Sequence, residues 1–331
     1  MQRTRAAVNR TNRRQAYRRS FDQKREQSFE GLRKMYPQAF TYHRASSLKD
    51  AATLLSQLGE GAKLLAGGQS LIPLMKLRFA NPTHLVDLNF VQGISYIQQK
   101  NDALHFGALA RHAEIEKSPT AAKIPVLRDC AAGIADVQVR NRGTIGGSLA
   151  EADPGSDWAT VLLTLSCEVR CVGLSGERSL KLSEFLKDAY TTSLASDELV
   201  SEVVVKVPPE NSGGAYIAFK RTAPVYPTAS AAVQLRLEGD HCREIAITLG
   251  CVDLLPIRVL EGESVLRGQR ITPKLVESAA EAARAAADPQ PDMRGSAEYK
   301  RQLVGALVKR ATEAALQRAR GQQVEVSHIY A

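Results

Sequence analysis

The sequence predicts an α+β protein with two folded parts, on three observations. A βαβ-like unit with a glycine turn lies between Leu48 and Leu88. A Pro/Gly-rich loop, Pro208 to Gly214, interrupts the chain. Beyond it three β-like runs follow one another directly and two long helical stretches close the sequence. Strands alternating with helices read as a parallel layer, and consecutive strands as an antiparallel sheet. At 331 residues the chain has room for two domains, each with its own core.

Residues 1–34 precede this pattern. They hold 11 Lys/Arg against 3 Asp/Glu, leaving 33 of the 44 basic and 32 of the 35 acidic residues for the rest. The net charge of +9 at first suggests nucleic acid, but the body carries only about +1 and the excess sits in one segment. That segment has no apolar face to offset its ordering entropy. It reads as a basic, disordered extension, or as a start placed ahead of Met35. Its composition also admits an organellar transit peptide or a nucleic-acid arm. A secretory signal is not expected, because no apolar stretch follows the arginines, and the same absence argues against a twin-arginine signal.

From Ser47 the elements follow in order. Ser47-Leu48-Lys49-Asp50 has the form of a capping box, and Leu48, Ala51, Ala52, Leu55 and Leu58 trace a helical face ended by Gly59 or Gly61. Lys63 to Ala66 reads as a strand, Leu71 to Phe79 as a short helix and His84 to Leu88 as a second strand. Ile94 to Gln98 and Ala103 to Ala108 form a strand pair turned at Lys100-Asn101-Asp102. His112 to Lys117 and Ile124 to Val139 read as helices, and Arg142 to Ala150 breaks the pattern with three glycines. A helix from Asp157 to Leu165, a strand from Glu168 to Val172 and a strand from Glu198 to Val207 complete the first part. In the second part, Ala215 to Lys220, Ala229 to Leu237 and Arg243 to Leu249 are strands, and Pro273 to Ala287 and Ser296 to Arg320 are helices.

No stretch approaches 18 consecutive apolar residues, so no membrane span is expected. Five cysteines without a Cys-x-x-Cys fit a reducing compartment, and the cytoplasm is the expected location. Cys167 and Cys171 lie on one face of a β-like run, as small hydrophobes. The six histidines are scattered, so no metal site and no iron–sulfur cluster is expected on this chain. No nucleophile motif appears either.

Two glycine pairs carry the chemistry. In Leu64-Leu65-Ala66-Gly67-Gly68-Gln69-Ser70-Leu71, a strand, a glycine turn and a helix start come in the order that makes an anion site, with Ser70 placed to cap the helix or to donate to phosphate. Thr144-Ile145-Gly146-Gly147-Ser148 offers a second set of backbone donors with hydroxyls at both ends. Neither is a Walker loop or a Gly-x-Gly-x-x-Gly fingerprint, and either alone reads equally well as a tight structural turn. Together, about 80 residues apart, they suggest one ligand with two phosphates gripped from both sides, as in a dinucleotide. Asp157 reads as a cap of the helix that follows, or as an acceptor for a ribose or ring N–H. Asp153 reads as setting the turn at Pro154. Tyr226 is a packed surface tyrosine or a lid over a flat ring. Lys220 is a solvated residue or a positive charge near an anionic cofactor.

Ala66 to Pro73 and Thr144 to Ser148, with Asp153-Pro154 and Asp157 downstream, resemble the FAD-binding medium subunit of molybdenum hydroxylases. The closest type is the carbon-monoxide-dehydrogenase-like flavoprotein, related to the flavin domain of xanthine dehydrogenase. The resemblance runs from about Tyr36 to Arg320 and leaves out residues 1–34.

It implies an α+β fold: a vanillyl-alcohol-oxidase-type (PCMH-type) FAD-binding domain of two α/β subdomains, about 35–90 and 91–211. A C-terminal domain with a three-stranded antiparallel sheet and helices follows over 212–322, and 323–331 is a tail. It implies FAD held at Leu64 to Leu71 and Thr144 to Ser148, with Phe106 and Gly107 near the adenine side. Asp157 matches the family's carboxylate after the second motif, Lys220 lies in a Phe-Lys-Arg strand, and Tyr226 covers the flavin. Pro227 stands where an alanine often follows that aromatic, and Ser148 where some relatives carry Asn.

The function implied is electron transfer without a catalytic residue of the chain's own. A molybdopterin-bearing large subunit oxidises substrate, a [2Fe-2S] small subunit relays electrons, and this FAD passes them to a terminal acceptor, in a dimer of heterotrimers. Peripheral membrane association would follow from a quinone acceptor. The alternative is a single-chain flavin oxidase of the same fold, often with a covalent His or Cys link to FAD, and neither glycine segment contains His or Cys.

Overall fold

The computed structural model describes residues 36–222 and 225–326, and the backbone of 329–330. The readings of residues 1–34 and of Met35 as a start lie outside these.

The chain opens with a small parallel sheet, order β1–β3–β2. Its strands are β1 (Thr41–Arg44), β2 (Ala62–Leu65) and β3 (His84–Asp87), joined through helices α1 (Leu48–Leu58) and α2 (Leu71–Lys76). Ser47 caps α1 by accepting the Asp50 N–H at 3.0 Å. Asp50 closes the box on the Ser46 N–H, one residue before the cap. The apolar face of α1 buries Ala51 and Ala52, with Leu48 and Leu58 beside them, in one core with Val86, Leu88 and Ile94. Helix α2 stops three residues before the expected Phe79, and Arg78 turns to positive φ to leave it.

The next unit holds two antiparallel hairpins, β4 (Ile97–Lys100) with β5 (Ala103–Gly107) and β6 (Glu168–Gly173) with β7 (Gly176–Lys181). Between them run α3 (His112–Lys117), α4 (Pro125–Gly133), α5 (Val137–Arg142), α6 (Ile145–Glu151) and α7 (Asp157–Thr164). After β7 come α8 (Leu182–Phe185), a small ribbon of β8 (Leu186–Asp188) and β9 (Thr191–Thr192), and β10 (Leu199–Lys206). Strand β10 inserts at the centre, giving the order β4–β5–β10–β6–β7.

Four local expectations are corrected here. The single helix expected over Ile124 to Val139 is two helices: Ala135 adopts φ 42° and Asp136 caps α5 by accepting the Val139 N–H. The break expected over Arg142 to Ala150 is instead helix α6, capped by Thr144. The first strand of the β4–β5 hairpin starts at Ile97, since Ile94 is buried against α1 and its carbonyl accepts the Leu109 N–H. Ser156, not Asp157, caps α7.

The C-terminal part is a sheet of three long antiparallel strands, β11 (Ser212–Lys220), β12 (Ala229–Glu238) and β13 (His241–Gly250). Strand β14 (Ile257–Arg258) and, in parallel, β15 (Ile329–Tyr330) extend its edges. Helices α9 (Leu260–Leu266), α10 (Pro273–Ala286) and α11 (Ala297–Ala319) cover one face. The other face, through Tyr216, Ala218 and Ala232, joins the core built by Phe106, Leu127, Trp158 and Val203. Covering on both faces is why β11 is buried almost continuously instead of alternating.

A buried ion pair at the C-terminal helix helps tie the two parts. Arg318 on α11 forks onto Asp129 of α4 at 2.6 and 3.0 Å, and the same carboxylate accepts the Tyr216 N–H. Breaking such a pair from one side costs about 3–5 kcal/mol, because the other charge stays buried.

Candidate cofactor site

The first glycine segment leaves the C-terminal edge of the parallel sheet, where open α/β sheets place their ligands. Gly68 takes φ 73°, the region glycine enters without steric cost. Ile72 N–H bonds to the Gly68 carbonyl. The N–H groups of Gly67, Gly68, Gln69 and Ser70 find no protein partner among the described residues. Ser70 makes no side-chain cap to α2, so its hydroxyl is not committed to the helix. The result is a row of polar donors at a strand end.

The second segment differs. Thr144 Oγ1 accepts the Gly147 N–H at 3.1 Å and the Thr144 carbonyl accepts the Ser148 N–H at 3.0 Å. Ile145 donates to the Ala110 carbonyl and Gly146 to the Ala108 carbonyl. The four N–H groups from Ile145 to Ser148 are therefore committed within the protein, contrary to the expectation that the glycine pair itself offers a second donor set. Beside them stands the Ser148 hydroxyl, 3.0 Å from Ser156 Oγ. The glycines serve close approach: a Cβ on Gly146 would stand 2.7 Å from Ala108 Cβ.

The two segments touch. A Cβ on Gly67 would collide with the Arg142 carbonyl and lie 2.9 Å from Gly143 Cα. One on Gly147 would sit 3.7 Å from Ala66 Cβ. Behind the junction packs His112: a Cβ on Gly143 would lie 2.6 Å from its Nε2. Trp158 Nε1–H donates to His112 Nδ1 at 3.0 Å. Burial, with Arg111 and Arg140 nearby, pushes the His112 pKa down to about 3, so the ring is neutral.

Tyr226 is brought to this region. Its half-exposed ring lies on Gly155, and burial together with Asp153 raises its phenol above the ordinary value. Asp153 also sets its turn, accepting the Gly155 N–H at 2.7 Å. Asp157 and Lys220 go elsewhere. Asp157 Oδ1 accepts the Tyr216 O–H at 2.6 Å and faces Lys220 Nζ at 3.7 Å, and Lys220 donates to the Gly133 carbonyl. Both are more than nine-tenths buried, a pair between α7 and the C-terminal sheet and neither a solvated charge nor a free acceptor. The Phe106 ring is fully buried in the core. Gly107 N–H bonds the Tyr96 carbonyl, and a Cβ there would crowd the Ile94 carbonyl at 2.5 Å. These two residues support the second glycine segment from beneath, through Ala108.

Sequence reasoning passed over Asn89, Arg111 and His112, which lie at the junction. Their signal was positional: Asn89 follows the end of β3, and Arg111-His112 open a helix just after β5. All five cysteines are free, and Cys167 and Cys171 are buried in one core as expected. No cluster of metal-ligating side chains occurs among the described residues, and no helix among them is long and apolar enough to cross a membrane. A separate open cleft of about 630 Å³ at the tip of the β12–β13 hairpin is rimmed by Glu238, Glu244, Arg243 and Arg267 and has no part of either glycine segment.

Comparison with known proteins decides the family. Residues 38–209 match the family model described as the FAD-binding domain in molybdopterin dehydrogenase, and residues 214–315 match the carbon monoxide dehydrogenase flavoprotein C-terminal domain. The chain belongs to this flavoprotein family. It is therefore an oxidoreductase subunit with FAD as its cofactor, and the donors of Gly67 to Ser70, free among the described residues, are chemically suited to that group. The chain is 39% identical to the carbon monoxide dehydrogenase medium chain of Hydrogenophaga pseudoflava, covering 85% of this chain and 98% of that one. It is 38% identical to the 6-hydroxypseudooxynicotine dehydrogenase complex subunit alpha of Paenarthrobacter nicotinovorans, over 89% of this chain and all of that one. A solved carbon monoxide dehydrogenase from Hydrogenophaga pseudoflava superposes with TM-score 0.84 at 38% identity, covering 86% of this chain and 99% of that one. Quinoline 2-oxidoreductase from Pseudomonas putida superposes with TM-score 0.82 at 32% identity, with the same coverage. The fold class expected from the resemblance is the one observed.

Proposed function

We propose that this chain is the flavin-bearing electron-transfer subunit of a molybdenum hydroxylase. It receives electrons from a [2Fe-2S] subunit and passes them to a terminal acceptor, while a molybdopterin-bearing large subunit oxidises the substrate. The observation that carries the reading is the row of N–H groups from Gly67 to Ser70, unpartnered among the described residues and set directly against the second glycine segment.

In this reading those N–H groups and the Ser70 hydroxyl bind the diphosphate of FAD, whose charge suits oriented backbone donors. Leu64 to Ala66 and Leu71 anchor the loop in the sheet and helix. Thr144 to Ser148 form the opposing wall, with Ser148 as its donor, and Tyr226 covers the ring. Phe106, Gly107, Asp157 and Lys220 act one layer behind, by holding that wall and the domain junction. FAD, when bound, supplies the redox chemistry, taking up electrons and releasing them. The chain binds, orients and shields it, and no base or nucleophile is needed. In this reading the subunit works in the cytoplasm, and free cysteines are compatible with that reducing compartment.

The similarity to medium chains over 98–100% of their length favours a subunit over a self-sufficient oxidase. The test is purification from the native host. The expected result is co-purification with two other subunits, one FAD per chain, and flavin bleaching only when the molybdenum subunit is given its substrate. A chain that isolates alone and bleaches with an organic substrate by itself, or that holds no FAD, would overturn the reading.

A further inference from the structure

We propose that Arg111 and Asn89 form a strap that sets the spacing of the two glycine segments, and so act as positioning residues for the diphosphate. The inference rests on the proposed FAD reading and deepens it.

The strap is a continuous chain of hydrogen bonds. Asn89 Nδ2 donates to the Ala66 carbonyl of the first segment at 2.9 Å and to Asp87 Oδ1 at 2.6 Å. Asn89 Oδ1 accepts Arg111 Nη2 at 2.5 Å. The other arm of the same guanidinium, Nη1, donates to the Arg142 carbonyl at 2.5 Å. Arg142 O is the atom that a Cβ on Gly67 would strike. One planar fork therefore spans from the loop after β3 to the end of α5 and brackets the contact between Ala66-Gly67 and Arg142-Gly143.

Three features make this more than a surface contact. Asp87 is buried, and its Oδ1 also accepts the Asn89 N–H while Oδ2 accepts the Tyr42 hydroxyl, so the Asn89 amide is held in one orientation. Arg111 is fixed at its own backbone, where its N–H donates to Glu114 Oε2. The peptide planes do the rest: with the Ala66 carbonyl turned to Asn89, the Gly67 N–H across the trans peptide points the opposite way. The strap thus orients the first free donor of the loop. Burial and the nearby Arg142 make the Arg111 cation costlier than a solvated arginine, yet a guanidinium remains charged in proteins. It also places positive charge beside the segment that takes an anion. A lysine cannot reproduce the two-armed span.

The experiment titrates FAD into the flavin-stripped full-length chain and follows flavin fluorescence, for wild type, Arg111→Lys, Arg111→Gln, Asn89→Ala and the Arg111→Gln/Asn89→Ala double variant. Thermal unfolding of each flavin-free chain is measured alongside. Each single variant is expected to weaken FAD about tenfold or more, the size of losing one charge-assisted hydrogen bond. The double variant is expected to be no weaker than the worse single one, because one strap breaks only once. Arg111→Lys is expected to behave like Arg111→Gln. Wild-type-like binding by Arg111→Lys would mean that charge alone matters and overturns the strap. So would additive losses in the double variant, or binding losses that merely track lost thermal stability. Should Arg111→Gln not fold, Asn89→Ala, at a half-buried site, decides alone. If wild type itself binds no FAD, it is the functional reading that fails, and the strap fails with it.

Discussion

The two glycine segments are the same dipeptide put to opposite uses. Gly67-Gly68 leaves four consecutive N–H groups, Gly67 through Ser70, without partners among the described residues. Gly146-Gly147 spends its N–H groups on Ala108 and Thr144 and is glycine because nothing larger fits beneath it. A glycine pair in a sequence reports that the backbone must come close to something. It does not report whether that something is a ligand or the protein itself.

Four changes break or sharpen this contrast. The largest effect is expected from Gly67→Ala. The new methyl meets backbone, Arg142 O and Gly143 Cα, which cannot swing aside as a side chain would. Overpacking of about 3 kcal/mol, falling on the contact between the segments, corresponds to about a hundredfold loss in FAD affinity. Flavin retained after gel filtration measures it. Gly146→Ala comes next. Its methyl meets Ala108, so about 2 kcal/mol of folding stability is expected to go, read as a lower urea midpoint, while the folded fraction keeps its flavin. A Gly146→Ala chain that folds normally but sheds FAD would erase the distinction between the two pairs.

A pH effect follows from His112. It stays neutral when folded, with a pKa near 3, but in the unfolded chain it takes a proton below about 6.5. Its contribution is whole above that value and drains away as pH falls towards 3. Between pH 7.5 and 5.5 the expected loss from this residue is about 1.4 kcal/mol, measured by urea unfolding at both values. His112→Gln should flatten that slope. The smallest effect is expected from Thr144→Val, which removes the cap of α6 for about 1 kcal/mol of stability and frees the Gly147 N–H. If that variant binds FAD more tightly than wild type, the second segment was limited only by its donors being taken.

Local chemistry was legible wherever the deciding partners are near in sequence. Ser47 caps α1, Asn101 turns the β4–β5 hairpin with positive φ, and Pro273 opens α10. Expectations failed where a distant group intervened. Asp157 stands where a helix cap belongs, yet Ser156 caps, and Asp157 meets Tyr216 from 59 residues away. Lys220 read as a solvated residue or a charge near an anionic cofactor, yet it is buried against Asp157 of α7 and the Gly133 carbonyl. Asn89 and Arg111 carried no motif at all, since a strap is defined by what it connects.

By itself, then, the amino-acid order determined most of the elements, turns such as that at Asn101, the cap at Ser47 and the presence of two glycine segments, because these depend on neighbours a few residues apart. Only the folded arrangement decided which glycine pair keeps its donors free and which charges are buried as a pair. Hydrogen-bond satisfaction and burial are settled between groups brought together from distant parts of the chain, and no local pattern encodes them.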